Sequence, residues 1–162
     1  MTAPAGIFRD YAAIVDRVRL LARSAGSRDE RMRIVVDVLW HSLHDQGVSW
    51  VGCYLDQPGE PDDRRLVLGP SRNKPACSPI GLHGACGRAL LSRQSLIVHD
   101  VKDLGPNYIA CDPRDRSEIV IPLIDAKSNE CWSVLDLDSY EVGAFDECDE
   151  KGLREVLRAA GL

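Results

Sequence analysis

The segment VSWVGCYL, residues 48–55, changes the period of the hydrophobic pattern from the spacing of a helix to the alternation of a strand. Alternation divides the segment into two faces, one with Val51, Cys53 and Leu55 and the other with Trp50, Gly52 and Tyr54. The first face has the composition of a buried core. The second presents two aromatic rings on either side of a glycine, which is typical of an aromatic core pair with a bulge or of two walls of a pocket.

Helices are predicted on the N-terminal side of this strand. Residues 7–25 carry apolar side chains at three- and four-residue spacings and therefore predict an amphipathic helix. A second helix is expected to begin after a cap at Ser27 or Asp29 and to run to about Gln46. After the strand, a turn and the segment 65–68 predict the returning strand of a hairpin.

Two loops interrupt the second half of the chain, at residues 69–83 and 101–115, and loops of this length are usually functional or disordered. Regular elements are predicted around them: a short helix at 84–93, a strand at 95–98, a hairpin of strands at 118–124 and 131–137, and a helix at 145–160. This order predicts an α+β fold in which helices pack against one antiparallel sheet.

The chain of 162 residues is long enough for one domain with a sizeable core. We expect a single domain over residues 1–162, with N-terminal helices at about 7–46, a sheet and pocket at about 48–139, and a C-terminal helix at about 145–160. A net charge of −5 with scattered basic residues argues against nucleic-acid binding. Because neither a membrane span nor a secretory signal is evident, we expect a cytoplasmic location.

Two acids stand side by side in WSVLDLDS, residues 132–139. In a strand, Asp136 and Asp138 point to the same face, opposite to the leucines. Like charges so placed repel each other and are costly to bury unless a cation or a donor is present. The pair fits either a solvent-facing strand or a pocket, and Glu118 at the start of a neighbouring predicted strand favours the pocket.

Six cysteines are too few for a disulfide scaffold, and in a reducing compartment they indicate catalytic, redox or metal-binding roles. Cys53 and Cys131 lie in predicted strands among apolar residues, which is typical of core filling. Cys148 has no obvious activating neighbour. These three cysteines are therefore not expected to take part in chemistry.

The remaining three cysteines, Cys77, Cys86 and Cys111, lie in predicted loops or at a helix start. Cys86 begins the predicted short helix, where the helix dipole favours a thiolate. Cys77 and Cys111 have basic residues close by in the sequence, so the set suits thiol–disulfide chemistry. A zinc site with His83 or His99 is the competing interpretation, but no two cysteines have the C-x₂₋₄-C spacing of structural zinc sites.

Seven motifs occur in a fixed order along the chain: W-V-G-x-Y-L, L-G-P, K-P-A-C, C-G, I-A-C-D, S-E-I-V-x-P and V-L-D-L-D-S. Together they resemble the free methionine-(R)-sulfoxide reductases, a catalytic branch of the GAF domain family, over roughly Ser49 to Leu153. The resemblance implies a GAF fold, with a central antiparallel sheet, helices on one side and a loop-enclosed pocket on the other. It also implies a homodimer.

Roles for individual residues follow from the same resemblance. Cys111 would be the nucleophile that attacks the sulfoxide sulfur, with Cys86 and Cys77 as resolving thiols. The substrate pocket would be lined by Trp50, Tyr54, Glu118, Asp136 and Asp138. Glu118 would help to protonate the departing oxygen. The substrate would be free methionine sulfoxide and the reductant a thioredoxin-like dithiol, and no metal or other cofactor is expected.

Oxidation is expected to join Cys111 to Cys86 or to Cys77, and the thiolate-favouring position at a helix start makes Cys86 the preferred partner. Two other functions stay open. One is a non-catalytic GAF module that binds a small ligand, against which the three loop cysteines count. The other is a redox sensor that uses the same disulfide as a switch.

Overall fold

The two faces of the segment 48–55 pack against different layers of the protein. The computed structural model describes residues 7–162, and the first six residues of the predicted domain lie outside the described residues. One face of the central sheet is covered by long helices and the other by a short helix and two loops. The predicted α+β architecture is therefore confirmed.

Within residues 7–162, five antiparallel strands form the sheet: β1 (Trp50–Asp56), β2 (Leu66–Arg72), β3 (Leu96–Val98), β4 (Ser117–Ile124) and β5 (Cys131–Ser139). Their order across the sheet is β2-β1-β5-β4-β3. Both predicted hairpins are present, and the pairing of β1 with β5 joins them at the centre of the sheet. β2 is longer than predicted and continues to Arg72.

The described chain has four α-helices: α1 (Tyr11–Ala22), α2 (Arg28–Leu43), α3 (Ala85–Ser92) and α4 (Glu147–Ala160). Ser27 begins α2 with a capping box, in which Ser27 and Glu30 each accept from the other's backbone N–H. A 3₁₀ turn follows α2, and Gly47 ends it with a φ of 88°, which glycine adopts without steric cost. Among residues 7–162, no helix combines the length and apolar character needed to cross a membrane.

The first helix begins at Tyr11 and not at Ile7, because the preceding residues are held by other contacts. Asp10 caps the helix by accepting from the backbone N–H of Ala13 at 3.1 Å. The buried guanidinium of Arg9 donates to Asp149 Oδ1 at 2.8 Å and to two backbone carbonyls, of Ala144 and Gln46. Arg9 therefore ties the chain ahead of α1 to the start of α4 and to the segment after α2.

Helices α1, α2 and α4 form the main core with one face of the sheet. Val51 and Cys53 of β1 lie in this core with Leu135 and Leu137 of β5. The second buried cluster, on the opposite face, contains Trp50, Tyr54, Val120 and Val134 together with residues of α3 and the loops. The two faces predicted from the alternation in β1 and β5 are therefore confirmed.

Replacement of Arg9 by Met is expected to lower the free energy of unfolding by about 3–5 kcal/mol, because Asp149 stays buried without its ion-pair partner. Urea denaturation followed by circular dichroism measures the loss. The control is Arg19→Met, which removes an exposed pair with Asp16 (side chains 56% and 79% exposed) and should cost less than about 1 kcal/mol. Equal losses in the two variants would contradict the anchoring role of Arg9.

Candidate active site

A cavity of about 50 Å³ lies on the loop-covered face of the sheet. Two loops lie over it: residues 73–84, termed the Cys77 loop, and residues 108–116, termed the Cys111 loop. Seven of the eight predicted site residues line the cavity: Trp50, Tyr54, Cys86, Cys111, Glu118, Asp136 and Asp138. The eighth, Cys77, is bonded to Cys111. The structure thus brings the predicted residues together around one space, which is large enough for only a few water molecules.

Glu118, Asp136 and Asp138, which are termed the carboxylate cage, point into the cavity from β4 and β5. Glu118 pairs in register with Asp138, and Asp136 follows on the same face of β5. Oxygens of the three carboxyl groups lie within 4.8 Å of one another. Glu118 and Asp136 are each only 6% exposed, so the alternative of a solvent-facing strand is wrong. The oxygens are close enough to surround one cationic group.

Burial raises the pKa of every carboxyl group in the cage. The pKa of Asp136 rises to about 7. For Glu118 and Asp138, burial and then the neighbouring charge of Asp136 raise the pKa well above its ordinary value. Asp136 Oδ1 is buried and has no hydrogen-bond partner within the described residues. The empty cage therefore holds mostly neutral acids and offers an unsatisfied acceptor to an incoming donor.

Cys86 lies in the first turn of α3, as predicted, but its surroundings do not favour a thiolate. The thiol is buried and donates to Asp136 Oδ2 at 3.3 Å. Burial, followed by the charges of Asp136 and Glu118, raises its pKa well above the ordinary value. A Cβ on Gly87 would overlap the backbone of Leu82, so the start of the helix packs directly on the Cys77 loop. Low dielectric and nearby acids outweigh the helix dipole here.

Cys111 forms its disulfide with Cys77 and not with Cys86, so the predicted preference is corrected. The two Cα atoms are 5.5 Å apart, a usual distance for a disulfide. Cys111 is exposed and Cys77 is half-buried, whereas Cys86 is held on the cavity floor by Asp136. The two loop cysteines are thus the pair that solvent and a reductant can reach.

The other cysteines of residues 7–162 lie away from the cavity. Cys53 is fully buried in the main core, as predicted. Cys131 is only half-buried, at the start of β5, where it packs beside the second cluster. Cys148 is exposed.

Two aromatic rings line the cavity beside the cage, since Trp50 of β1 pairs in register with Asp138 of β5. Trp50 and Tyr54 have centroids 6.0 Å apart. The predicted gap between them is filled, because the indole of Trp50 lies over Gly52, where any Cβ would overlap it. The pairing of β1 with β2 shifts register between Gly52 and Tyr54, so the bulge and the pocket wall are both present.

The same aromatic residues hold the Cys77 loop in place. Trp50 Nε1 donates to the carbonyl of Lys74 at 3.3 Å. Tyr54 Oη donates to the carbonyl of Cys77 at 2.9 Å. The cavity wall and the position of the cysteine are therefore linked through hydrogen bonds to the loop backbone.

A cluster of ion pairs beside the disulfide was not predicted from the sequence. Lys74 Nζ contacts Asp112, lies 3.4 Å from Asp115 Oδ1 and also approaches Tyr140 Oη at 3.2 Å. Arg114 donates twice to the Asp112 carboxylate and holds its pKa far below the usual range. The basic residues predicted to surround the two thiols are thus paired with carboxylates. The one available signal was the position of Asp112, directly after Cys111.

Comparison with known proteins agrees with this geometry. The GAF domain model matches residues 27–162, and the chain belongs to the GAF domain family. The free methionine-R-sulfoxide reductase of Escherichia coli is 39% identical over 122 residues, which cover 74% of this chain and 67% of that protein. The reductase of the same name from Saccharomyces cerevisiae is 34% identical over 124 residues, which cover 75% and 67%.

A solved structure of a free methionine-R-sulfoxide reductase is also similar to this chain. The free methionine-R-sulfoxide reductase from Neisseria meningitidis, in complex with its substrate, superposes with a TM-score of 0.82 at 30% identity. The match covers 99% of this chain and 93% of the Neisseria chain. The resemblance predicted from the seven motifs is therefore confirmed.

Replacement of Glu118 by Gln is expected to stabilise the protein at pH 8 and to have little effect near pH 4. Because the folded-state pKa of Glu118 is raised, its carboxyl group releases its proton more readily in the unfolded chain. Stability is therefore lost as pH rises from the unfolded pKa through the folded pKa. Urea denaturation at the two pH values measures the effect.

The matched control for this pH dependence is Glu155→Gln, on the exposed surface of α4. It should change stability by less than about 0.5 kcal/mol at either pH. A gain for Glu118→Gln that is the same at pH 4 and pH 8, or a loss at pH 8, would contradict the buried neutral acid.

Proposed function

We propose that this protein reduces free L-methionine-(R)-sulfoxide to methionine by thiol chemistry at Cys111. The observation that carries the proposal is that Cys111, disulfide-bonded to Cys77, borders the same cavity as a cage of three carboxyl groups. The names of the relatives from Escherichia coli and Saccharomyces cerevisiae, and the substrate complex from Neisseria meningitidis, support the same reaction.

The carboxylate cage would select the free amino acid through its α-ammonium group. Asp136 Oδ1 is a buried acceptor without a donor among the described residues, and an ammonium carries three donors. A cation among the acids would also favour their ionised forms and offset the cost of burying them. A methionine sulfoxide residue inside a polypeptide has no such ammonium, so it would leave the cage unsatisfied.

The aromatic wall would hold the other end of the substrate. Trp50 and Tyr54 line the same cavity on β1, next to the cage on β5, and offer apolar ring surfaces to the methyl and methylene groups beside sulfur. Reversal of the sulfoxide configuration would exchange the positions of oxygen and methyl, so one epimer fits better. The choice of the R epimer rests on the named relatives.

The reaction begins with attack of the Cys111 thiolate on the electrophilic sulfoxide sulfur. The oxygen atom passes to the cysteine sulfur, so that methionine leaves and Cys111 becomes a sulfenic acid. Glu118 is a suitable proton donor to this oxygen, because burial and the neighbouring charge of Asp136 raise its pKa and so favour its protonated form while Asp136 and Asp138 face the ammonium. Methionine sulfoxide is reduced in this step and the cysteine is oxidised.

Cys77 is the resolving thiol in this proposal. Its thiol attacks the sulfenic sulfur of Cys111, the disulfide forms, and the hydroxyl leaves as water. A thioredoxin-like dithiol then reduces the exposed disulfide by exchange and completes the cycle. Cys86 takes a different part from the one first predicted, because its thiol donates to Asp136 and helps to position that carboxylate. We propose in addition that the chain acts as a homodimer and that no cofactor takes part.

The cavity is too small for an amino acid while the disulfide is closed. Reduction removes the covalent link between the Cys77 loop and the Cys111 loop. The loops can then separate and admit the substrate. In this proposal, the arrangement with the disulfide closed corresponds to the step after sulfoxide reduction and before regeneration.

The cage is tested by comparing free L-methionine-(R)-sulfoxide with its N-acetylated, C-amidated form at equal concentrations of the same reductant. The free amino acid is expected to be reduced and the blocked compound to be lower in kcat/KM by about a hundredfold or more, because a lost buried charge-assisted contact costs about 2–5 kcal/mol. Consumption of NADPH coupled through thioredoxin and its reductase measures the rate. Equal rates for both compounds would contradict the cage.

Replacement of Cys111 by Ser is expected to abolish sulfoxide reduction and to leave the fold intact, because the side chain lies exposed in a loop. Direct measurement of methionine formation should show a loss greater than about a thousandfold. The control is Cys148→Ser, an exposed thiol on α4, which should keep wild-type activity. Activity of Cys111→Ser near the wild-type rate would remove Cys111 as the nucleophile. Disulfide formation without any sulfoxide reduction in the wild type would favour the redox-sensor function.

A further inference from the structure

The two cysteine loops differ in how firmly they are attached to the sheet. The Cys77 loop is held by the hydrogen bonds from Trp50 and Tyr54, and by a backbone pair between Leu66 and Ile80 at 2.8 and 3.0 Å. The Cys111 loop is attached through Ser49, directly before β1, whose Oγ donates to Asp115 Oδ1 at 3.0 Å, and through the Arg116 N–H, which donates to the Ser139 carbonyl of β5 at 2.8 Å. The loop of the predicted nucleophile therefore has fewer attachments to the sheet than the loop of its partner.

Apart from the disulfide, the polar contacts between the two loops are made by one side chain. Among the hydrogen bonds and ion pairs of residues 7–162, every polar contact from the Cys77 loop to the Cys111 loop is made by Lys74 Nζ. Lys74 lies three residues before Cys77. Its acceptors, Asp112 and Asp115, follow Cys111 directly and by four residues. The ion pairs thus run parallel to the disulfide.

The ion pairs of Lys74 are partly buried and therefore shielded from water and salt. The Lys74 side chain is 21% exposed, that of Asp112 is 11% exposed and that of Asp115 is 6% exposed. Partly buried charges are screened much less by salt than surface pairs. Tyr140 covers the group, with its ring centroid 4.7 Å from Lys74 Nζ and its hydroxyl donating to Asp112 at 3.1 Å. The Lys74 side chain, which comes from the Cys77 loop, is therefore held against the Cys111 loop across the same gap that the disulfide spans.

We propose that Lys74 is a positioning residue: while the disulfide is open, its ion pairs reversibly draw the Cys111 loop back from the separated arrangement that admits the substrate to its place against the Cys77 loop. The inference rests on the proposed function, in which this disulfide opens and closes in every cycle. Closure needs the Cys77 sulfur within bonding distance of the Cys111 sulfenic acid. An ion-paired loop keeps the two sulfurs at a high effective concentration. Without the Lys74 ion pairs, the Cys111 sulfenic acid persists longer before the disulfide forms and can be oxidised further.

Lys74→Met tests the inference with hydrogen peroxide as the oxidant. Fully reduced protein is mixed with one equivalent of peroxide, and samples are quenched over time with dimedone and an alkylating reagent. Mass spectrometry then measures sulfenic acid at Cys111 and the disulfide to Cys77. We expect Lys74→Met to slow disulfide closure by about tenfold to a hundredfold and to accumulate the sulfenic acid, because formation of the acid does not depend on the second loop.

Variants that differ in charge separate positioning from a general effect on the fold. Lys74→Arg keeps the charge and should restore most of the closure rate, whereas Lys127→Met, on the exposed β4–β5 turn, should close as fast as wild type. Asp112→Asn should slow closure as well, and it replaces Lys74→Met if that variant does not fold. The double variant Lys74→Met/Asp112→Asn should be little slower than either single variant, because both remove the same contact.

Three results would overturn the inference. They are closure by Lys74→Met at the wild-type rate, equal slowing of sulfenic acid formation and closure, and failure of Lys74→Arg to restore the rate. Because peroxide takes the place of methionine sulfoxide, the comparison holds even if the wild type does not reduce free methionine sulfoxide. Failure of the proposed function is thereby distinguished from failure of the positioning role of Lys74.

Discussion

The burial of three carboxyl groups on one face of the sheet is the constraint on which the rest of this structure depends. The antiparallel register of β4 and β5 places Glu118 beside Asp138, and alternation along β5 brings Asp136 to the same side. Acids in such a position are costly unless they are neutral or paired. Their raised pKa values, the thiol of Cys86 donating to Asp136 and the lack of a donor to Asp136 Oδ1 among residues 7–162 all result from this arrangement. The arrangement lowers stability at high pH and leaves a buried acceptor at the cavity.

The two faces of the sheet differ in what they border: one packs against the apolar helical core and the other lines the cavity. On one side, α1, α2 and α4 bury a continuous apolar core, and Arg9 holds the N-terminal segment against it. On the other side, a short helix and two loops enclose a small cavity bordered by carboxyl groups and by a cysteine of the disulfide. The helical side supplies a rigid platform, because a packed core resists deformation. The proposed reaction cycle needs movement only on the loop side, away from this core.

Much of this organisation was predictable, because the periodicity of side chains depends only on local geometry. Alternation in β1 and β5 correctly assigned both faces of the sheet, and the capping box at Ser27 marked the start of α2. The pair Cys77–Cys111 was one of two predicted pairings, and the preference for Cys86 was wrong, because the helix dipole acts locally on Cys86 whereas its burial beside Asp136 brings α3 against β5, 50 positions later in the chain. The ion pairs of Lys74 were missed for the same reason, since they join residues 38 and 41 positions apart.

The hydrogen bond from the Trp50 indole to the Lys74 carbonyl gives the protein an internal optical reporter. The ring is fully buried over Gly52, borders the cavity and is attached to the segment that carries Cys77. Opening of the Cys77 loop alters the polarity around this indole and its hydrogen bond together. We therefore expect the fluorescence of Trp50 to report whether the disulfide is open or closed.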